Sequence, residues 1–222
     1  MNGRPDEVLS VLVRRGLSDV EVYAKRGRSR RLERTEVTET SSTSQERGWA
    51  VRAGHRRGAF FLAGSGEPAP AGPWPDLAGR PIELPEPAAV PEWNTPSDFD
   101  TPLIGEREGL KLLESLGREL DSELPKARLL RAVLEDGSSE GELVNSRGLR
   151  ARFRHRIATL YLEAAGPPGR PAPMASLYLH AREAKRFHPP ALARRLADRL
   201  AVAAAGAPPP DRDAVEVLLA PP

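Results

Sequence analysis

Hydrophobic positions change period several times along the chain, and each change predicts an element. Over residues 5–16, Val8, Leu9, Leu12 and Val13 recur at helical spacing and Gly16 closes the run. Asp19–Lys25 then alternates Val20, Val22 and Ala24 against Glu21 and Tyr23, which predicts a strand. Residues 32–46 are rich in Thr and Ser and polar on both sides. Because Thr favours extended backbone, this stretch is expected to form one long, largely solvated strand. A hairpin follows, Gly48–Ala53 and Arg57–Ala63, turning near Gly54–His55.

Residues 64–102 interrupt the pattern with a dense run of Pro and Gly. Proline fixes φ and removes a backbone donor, so the segment reads as an extended surface connection, anchored by Trp74, Trp93 and Phe99. Leu110, Leu113, Leu116 and Leu120 then predict a helix over 105–121. Strands are expected at 127–135, 140–145, 149–164 and 172–182, a helix at 189–205 and a last strand at 214–220. The fold class implied is α+β: two similar helix-plus-antiparallel-sheet units, 1–65 and 103–222, joined by the Pro-rich connection 66–102. A gapless alignment of 48–62 on 148–162 repeats Gly48/Gly148, Arg52/Arg152, His55/His155, Arg56/Arg156 and Leu62/Leu162. Internal duplication is one explanation and Arg-rich composition is the other.

Composition narrows the function classes. The 222 residues include 39% hydrophobic and 29% charged side chains at a net charge of +2, a globular balance. Cysteine is absent, which excludes disulfides, thiolate metal sites and a Cys nucleophile. No signal-peptide pattern opens the chain, and no run nears the roughly 18 apolar residues of a membrane span. A soluble cytoplasmic protein is expected.

Catalytic motifs are missing. His55, His155, His180 and His188 do not form the helical pair of an HExxH zinc site. No GxSxG, GxGxxG or GxxxxGK[ST] occurs. Neither a cofactor nor a metal is expected, and no catalytic residue can be assigned. The basic clusters stand out instead. Arg150, Arg152, Arg154 and Arg156 repeat at period two, so a strand would line all four along one face, open to solvent, an acidic partner or a peptide. Lys25, Arg26, Arg28, Arg30, Arg31 and Arg34 form the second cluster. No aromatic-interleaved or helix-turn-helix pattern accompanies either one, which disfavours nucleic acid as the partner.

Taken in order, DVEVYAKRG (19–27), ERGWAVRAGHRRGAFFLAGS (46–65), VLEDG (133–137), ELVNSRG (142–148) and AVEVLLAP (214–221) resemble the amino-terminal half of the TldD/PmbA family. Gly48, Arg52, Asn145, Ser146 and Gly148 carry the resemblance as structural positions. It implies a metalloprotease-related protein and a single continuous domain as an alternative to two units. In TldD-type members the HExxxH metal motif follows the strand corresponding to 214–220, so none of this chain's residues inherits a catalytic role. The expected function is that of a non-catalytic subunit in a peptide-processing assembly. Its partner would be a TldD/PmbA-type subunit or a separately encoded carboxy-terminal half, and its substrate an unfolded peptide. A protein-binding scaffold without proteolysis and a nucleic-acid-associated protein are the alternatives.

Overall fold

The computed structural model describes residues 4–70, 72, 74–84, 101–168 and 172–206. Its elements run α1 (Pro5–Arg14), β1 (Asp19–Thr35), β2 (Glu39–His55), β3 (Gly58–Ser65), α2 (Glu106–Glu123), β4 (Arg128–Asn145), β5 (Arg150–Ala165), β6 (Met174–Ala181) and α3 (Pro189–Ala205), with one 3-10 turn at Ala184–Arg186. All six strands form one antiparallel sheet in the order β3-β2-β1-β4-β5-β6. This is an α+β architecture. The first half contributes one helix and the second two; each adds two long strands and a short one, and the halves meet where β1 pairs β4.

Register decides what each face carries. Side chains alternate along a strand, and β1 pairs both neighbours without a slip, so Val20, Val22 and Leu32 share a face. Val20 and Val22 pack with Val8 and Leu12 of α1, together with Val51, Ala53 and Phe60. Leu32 packs with Leu113, Leu116 and Leu120 of α2 and Leu192, Leu196 and Leu200 of α3, over Leu134, Leu160 and Leu177. All three helices therefore lie on one side of the sheet, over two separate apolar clusters. Gly109 lets α2 come close, since a Cβ there would stand 2.5 Å from Leu32 Cδ1.

The structure departs from the sequence expectation at four places. The single strand expected at 32–46 is instead the end of β1, a turn and the start of β2. Thr35 Oγ1 accepts from the backbone N–H groups of Val37 and Thr38, so hydroxyl groups close a turn that lacks Gly, Asn or Pro. The separate strands expected at 127–135 and 140–145 are one strand, β4. Asp136–Ser139 looks turn-like, but it is paired on both sides, with Gly27–Arg30 of β1 and with His155–Ala158 of β5. The β2–β3 turn falls at Arg56–Arg57, two residues beyond Gly54–His55. Finally, 48–62 spans the β2–β3 hairpin whereas 148–162 runs through β5, so that alignment sets the β2–β3 turn and the start of β3 against the uninterrupted middle of β5.

Within the connection, Trp74 stacks on Phe60 and meets Trp49 edge-on, each with ring centroids 6.2 Å apart, and Leu84 is buried. Trp93, Phe99 and the strand expected at 214–220 lie outside the described residues. No helix among the described residues is long and apolar enough to cross a membrane.

Candidate functional site

Between the two apolar clusters, the helix-bearing face is crossed by a band of charge. The register sets Arg26 opposite Glu140 and Glu140 opposite Arg154, so one carboxylate sits between two guanidinium groups from the strands on either side. Glu140 ion-pairs with both, at 2.8 Å to Arg154 Nε. Glu142 faces Arg152 at 2.8 Å, and Asp6 of α1 meets Arg150, with a 2.9 Å bond from Arg150 Nη1 to Asp6 Oδ2. Arg156 donates to the carbonyl of Thr101 at 2.9 Å. Arg150, Arg152, Arg154 and Arg156 do share a face, as their spacing requires. Carboxylates of the same chain answer the first three. A trough of about 710 Å³ lies along this band, bordered by Asp6, Arg26, Arg47, Glu140, Arg152 and Arg154.

Burial pushes the Glu140 carboxyl up, but its bond to Arg26 and the charges of Arg26 and Arg154 outweigh this and hold it below the usual carboxylate range. Arg131 and Arg31 depress Glu33 in the same way. A carboxylate with a lowered folded-state pKa stabilises the fold above its unfolded value and loses that contribution as pH falls through the folded one. Stability should therefore decline below about pH 4.3, the ordinary Glu value. The decline should be shallower in Glu140→Gln, as measured by urea titration from pH 6 to 3.

Farther along the band, Asp136 faces Arg30 across β1 and β4. Asp136 is 5% exposed; its Oδ2 accepts the Ile104 N–H at 2.8 Å and lies 3.8 Å from Arg30 Nη2. Arg30 also donates to the Ile104 carbonyl. This pair closes the end of a cavity of about 140 Å³, also bordered by Arg28, Ser138, Thr101 and Glu106. Sequence reasoning missed it. The signal lay in three period-two runs of complementary charge: Arg26–Arg30, Asp136–Glu142 and Arg150–Arg156.

The structural positions behave differently. Asn145 Oδ1 accepts the N–H groups of Arg147 and Leu149, and Gly148 sits at φ +89°. Ser146 Oγ donates to the Ser18 carbonyl at 2.8 Å and accepts the Val20 N–H at 3.0 Å. The turn thus fastens the β4–β5 hairpin to the start of β1. Arg52 pairs with Glu21 at 2.7 Å on the opposite, helix-free face, and Gly48 faces Ser65 on β3. His188 occupies the N-cap of α3 without a side-chain cap bond, and His155 lies 3.5 Å from Ser139 Oγ. Among the described residues, no three His, Cys, Asp or Glu side chains gather closely enough to hold a metal.

Among the described residues, no helix packs on the opposite face of the sheet. Tyr23, Phe153 and His155 stack in sequence with centroids 6.3 Å apart. Phe61, Tyr178 and Met174 stand 69%, 65% and 55% exposed on the same side.

Solved structures share this arrangement of sheet and helices. One is a proposed modulator of a DNA gyrase from Thermotoga maritima, with a TM-score of 0.72 at 12% identity, covering 88% of this chain and 46% of that one. TldE from Thermococcus kodakarensis gives 0.70 at 15% identity, covering 87% and 47%. The fold is that of the TldD/PmbA family. A proposed modulator of DNA gyrase from Bacteroides thetaiotaomicron also gives 0.70, at 9% identity, covering 89% and 48%. The chain spans about half the length of these structures. No family pattern matches the sequence, and no curated protein does.

Proposed function

We propose that this chain works as a non-catalytic, TldD/PmbA-like cytoplasmic subunit of a peptide-processing metalloprotease assembly, alongside a TldD/PmbA-type partner. The observation carrying this reading is the shared fold: between 87% and 89% of this chain superposes on structures that include TldE. The helix-free face supports it, because Phe61, Tyr178 and Met174 together offer apolar surface of the kind protein contacts bury. A peptide has a place as well. β6 pairs only Ala158–Ala165, so among the described residues the outer edge of β5 from Arg150 to Ile157 has no strand beside it, and an extended chain could add there.

Affinity purification of the tagged chain from its native host, followed by identification of bound proteins, tests the reading. A TldD/PmbA-type protein retained in stoichiometric amount is the expected result. Recovery of the chain alone, as a stable monomer, would overturn it. Nucleic-acid association is less favoured, because Arg150, Arg152 and Arg154 already face carboxylates of their own chain and offer little net positive field.

A further inference from the structure

The outer edge of β2 is divided by the point at which β3 stops. β3 pairs β2 from Gly48 to His55, and the Gly66 N–H extends the contact by one residue, donating to the Arg47 carbonyl at 2.9 Å. From Glu39 to Gln45, β2 pairs β1 alone among the described residues, and every residue of the stretch is exposed. In an antiparallel strand, successive residues direct their N–H and C=O groups to opposite sides. The Thr38 carbonyl accepts the Thr35 N–H and the Gly54 carbonyl accepts the Ser18 N–H, both on the β1 side, so even-numbered residues of β2 turn inward. Glu39, Ser41, Thr43 and Gln45 therefore present their backbone groups outward, as Arg47 does toward β3. The usual guards of an open edge are missing: the stretch has no Lys and no Pro, and its ladder with β1 has no bulge.

We infer that a second copy of this chain docks on this edge, β2 against β2, antiparallel about a two-fold axis at Ser42. Backbone geometry selects that register. Outward groups must meet outward groups, and pairing about Ser42 sets Glu39 against the partner's Gln45 and Ser41 against the partner's Thr43. It also uses the open stretch to its full length, with Gly66 of each copy just past the end. The side chains agree with the backbone. Ser42 faces its own copy, Ser41 faces Thr43 and Thr40 faces Ser44, so hydroxyl meets hydroxyl along the seam and no like charges are opposed. The same kind of contact already joins Ser29 to Ser44 at 2.8 Å across β1 and β2. The other open edge, Arg150–Ile157 of β5, suits a second copy poorly, because self-pairing would bring two rows of arginines together. Self-pairing of β2 is isologous and closes at two copies. It concerns a different edge from the one offered to a peptide, and it stands whether or not the chain has a TldD/PmbA-type partner.

Because the chain has no cysteine, single cysteines report the register directly. Ser42 and its copy form a non-hydrogen-bonded pair, with Cα atoms about 4.5 Å apart and within reach of a disulfide. Thr43 lies diagonal to its own copy, at about 7–8 Å, which is out of reach. The purified chain carrying Ser42→Cys, with oxidised glutathione as oxidant, is expected to form a disulfide dimer about tenfold faster than Thr43→Cys, or faster still. Equal rates would mean collision without docking and overturn the inference, as would a faster reaction at position 43. Sedimentation equilibrium of the parent chain provides a second test that adds no bond. A single short pair of edges buries little beside the roughly 1,200 Å² or more of a stable complex, so the dimer should be weak, half-formed near about 100 µM. The double variant Ser41→Lys with Thr43→Lys sets ammonium groups opposite one another on both sides of the axis. Both positions are exposed, so the thermal melt should be kept while dimerisation weakens about tenfold or more. A parent chain still monomeric at about 1 mM, an assembly that grows beyond two copies, or unchanged dimerisation in the double variant would each sink the inference.

Discussion

Replacing Leu160 by Ala is expected to destabilise the fold by about 2–5 kcal/mol, the range for truncating a fully buried leucine. Leu160 has no exposed surface, pairs Leu134 on one side and Leu179 on the other, and lies in the cluster beneath α2 and α3. Removing its branched end leaves a cavity between the sheet and two helices that are each fixed at several other points. Collapse into that space is therefore limited, and most of the transfer and cavity cost should persist. For a chain of this size, each kcal/mol lowers Tm by about 2–4 °C. Val202→Ala, at a position 76% exposed on α3, is the control and should stay within about 0.5 kcal/mol of the parent. A thermal melt of Leu160→Ala within a degree of the parent would mean that α2 and α3 do not seal this side of the sheet.

Asp136→Ala should cost about 3 kcal/mol, because deleting one partner of a buried ion pair strands the other. The Arg30 side chain is only 16% exposed and would face an apolar wall in place of a carboxylate. The Ile104 N–H would lose its acceptor too, loosening the entry to α2. Removing both charges is a different matter. The double variant Arg30→Met with Asp136→Leu leaves no orphaned charge, so it should recover most of the loss. Urea unfolding of the two single variants and the double variant measures this coupling. A double variant as unstable as the sum of the singles would show that the two side chains act separately.

Much of this architecture was legible because it is written in local periodicity. The stripe Leu110, Leu113, Leu116 and Leu120 predicts α2, which buries Leu113, Leu116 and Leu120. The alternation in Asp19–Lys25 predicts the start of β1, and the run at 189–205 predicts α3 at the bounds observed. The turn at Thr35–Thr38 was not legible, since hydroxyl-to-backbone bonds formed by threonines leave no Gly or Pro signature. Asp136–Ser139 misled in the opposite sense: turn-like residues stay extended when ladders on both sides satisfy their backbone.

The candidate site was half visible. The spacing of Arg150–Arg156 fixed that these side chains share a face. It could not say that Glu142, Glu140 and Asp6 would come to meet them. That depends on register between strands and on where α1 lands, and both are long-range consequences of packing. The paired state of Asp136 and Arg30 was invisible for the same reason, being set by one row of contacts between halves of the chain more than a hundred residues apart.

The unequal strand lengths have a consequence for exchange with solvent. Among the described residues, β5 is flanked on both sides from Ala158 to Ala165 but only by β4 before that, so its amides divide into two regimes. In the flanked half every N–H is bonded within the sheet. In Arg150–Ile157 only every second one is. Deuterium uptake along β5 should therefore alternate slow and fast up to Ile157 and then become uniformly slow. A bound strand would erase the alternation, so β5 reports whether its edge is occupied.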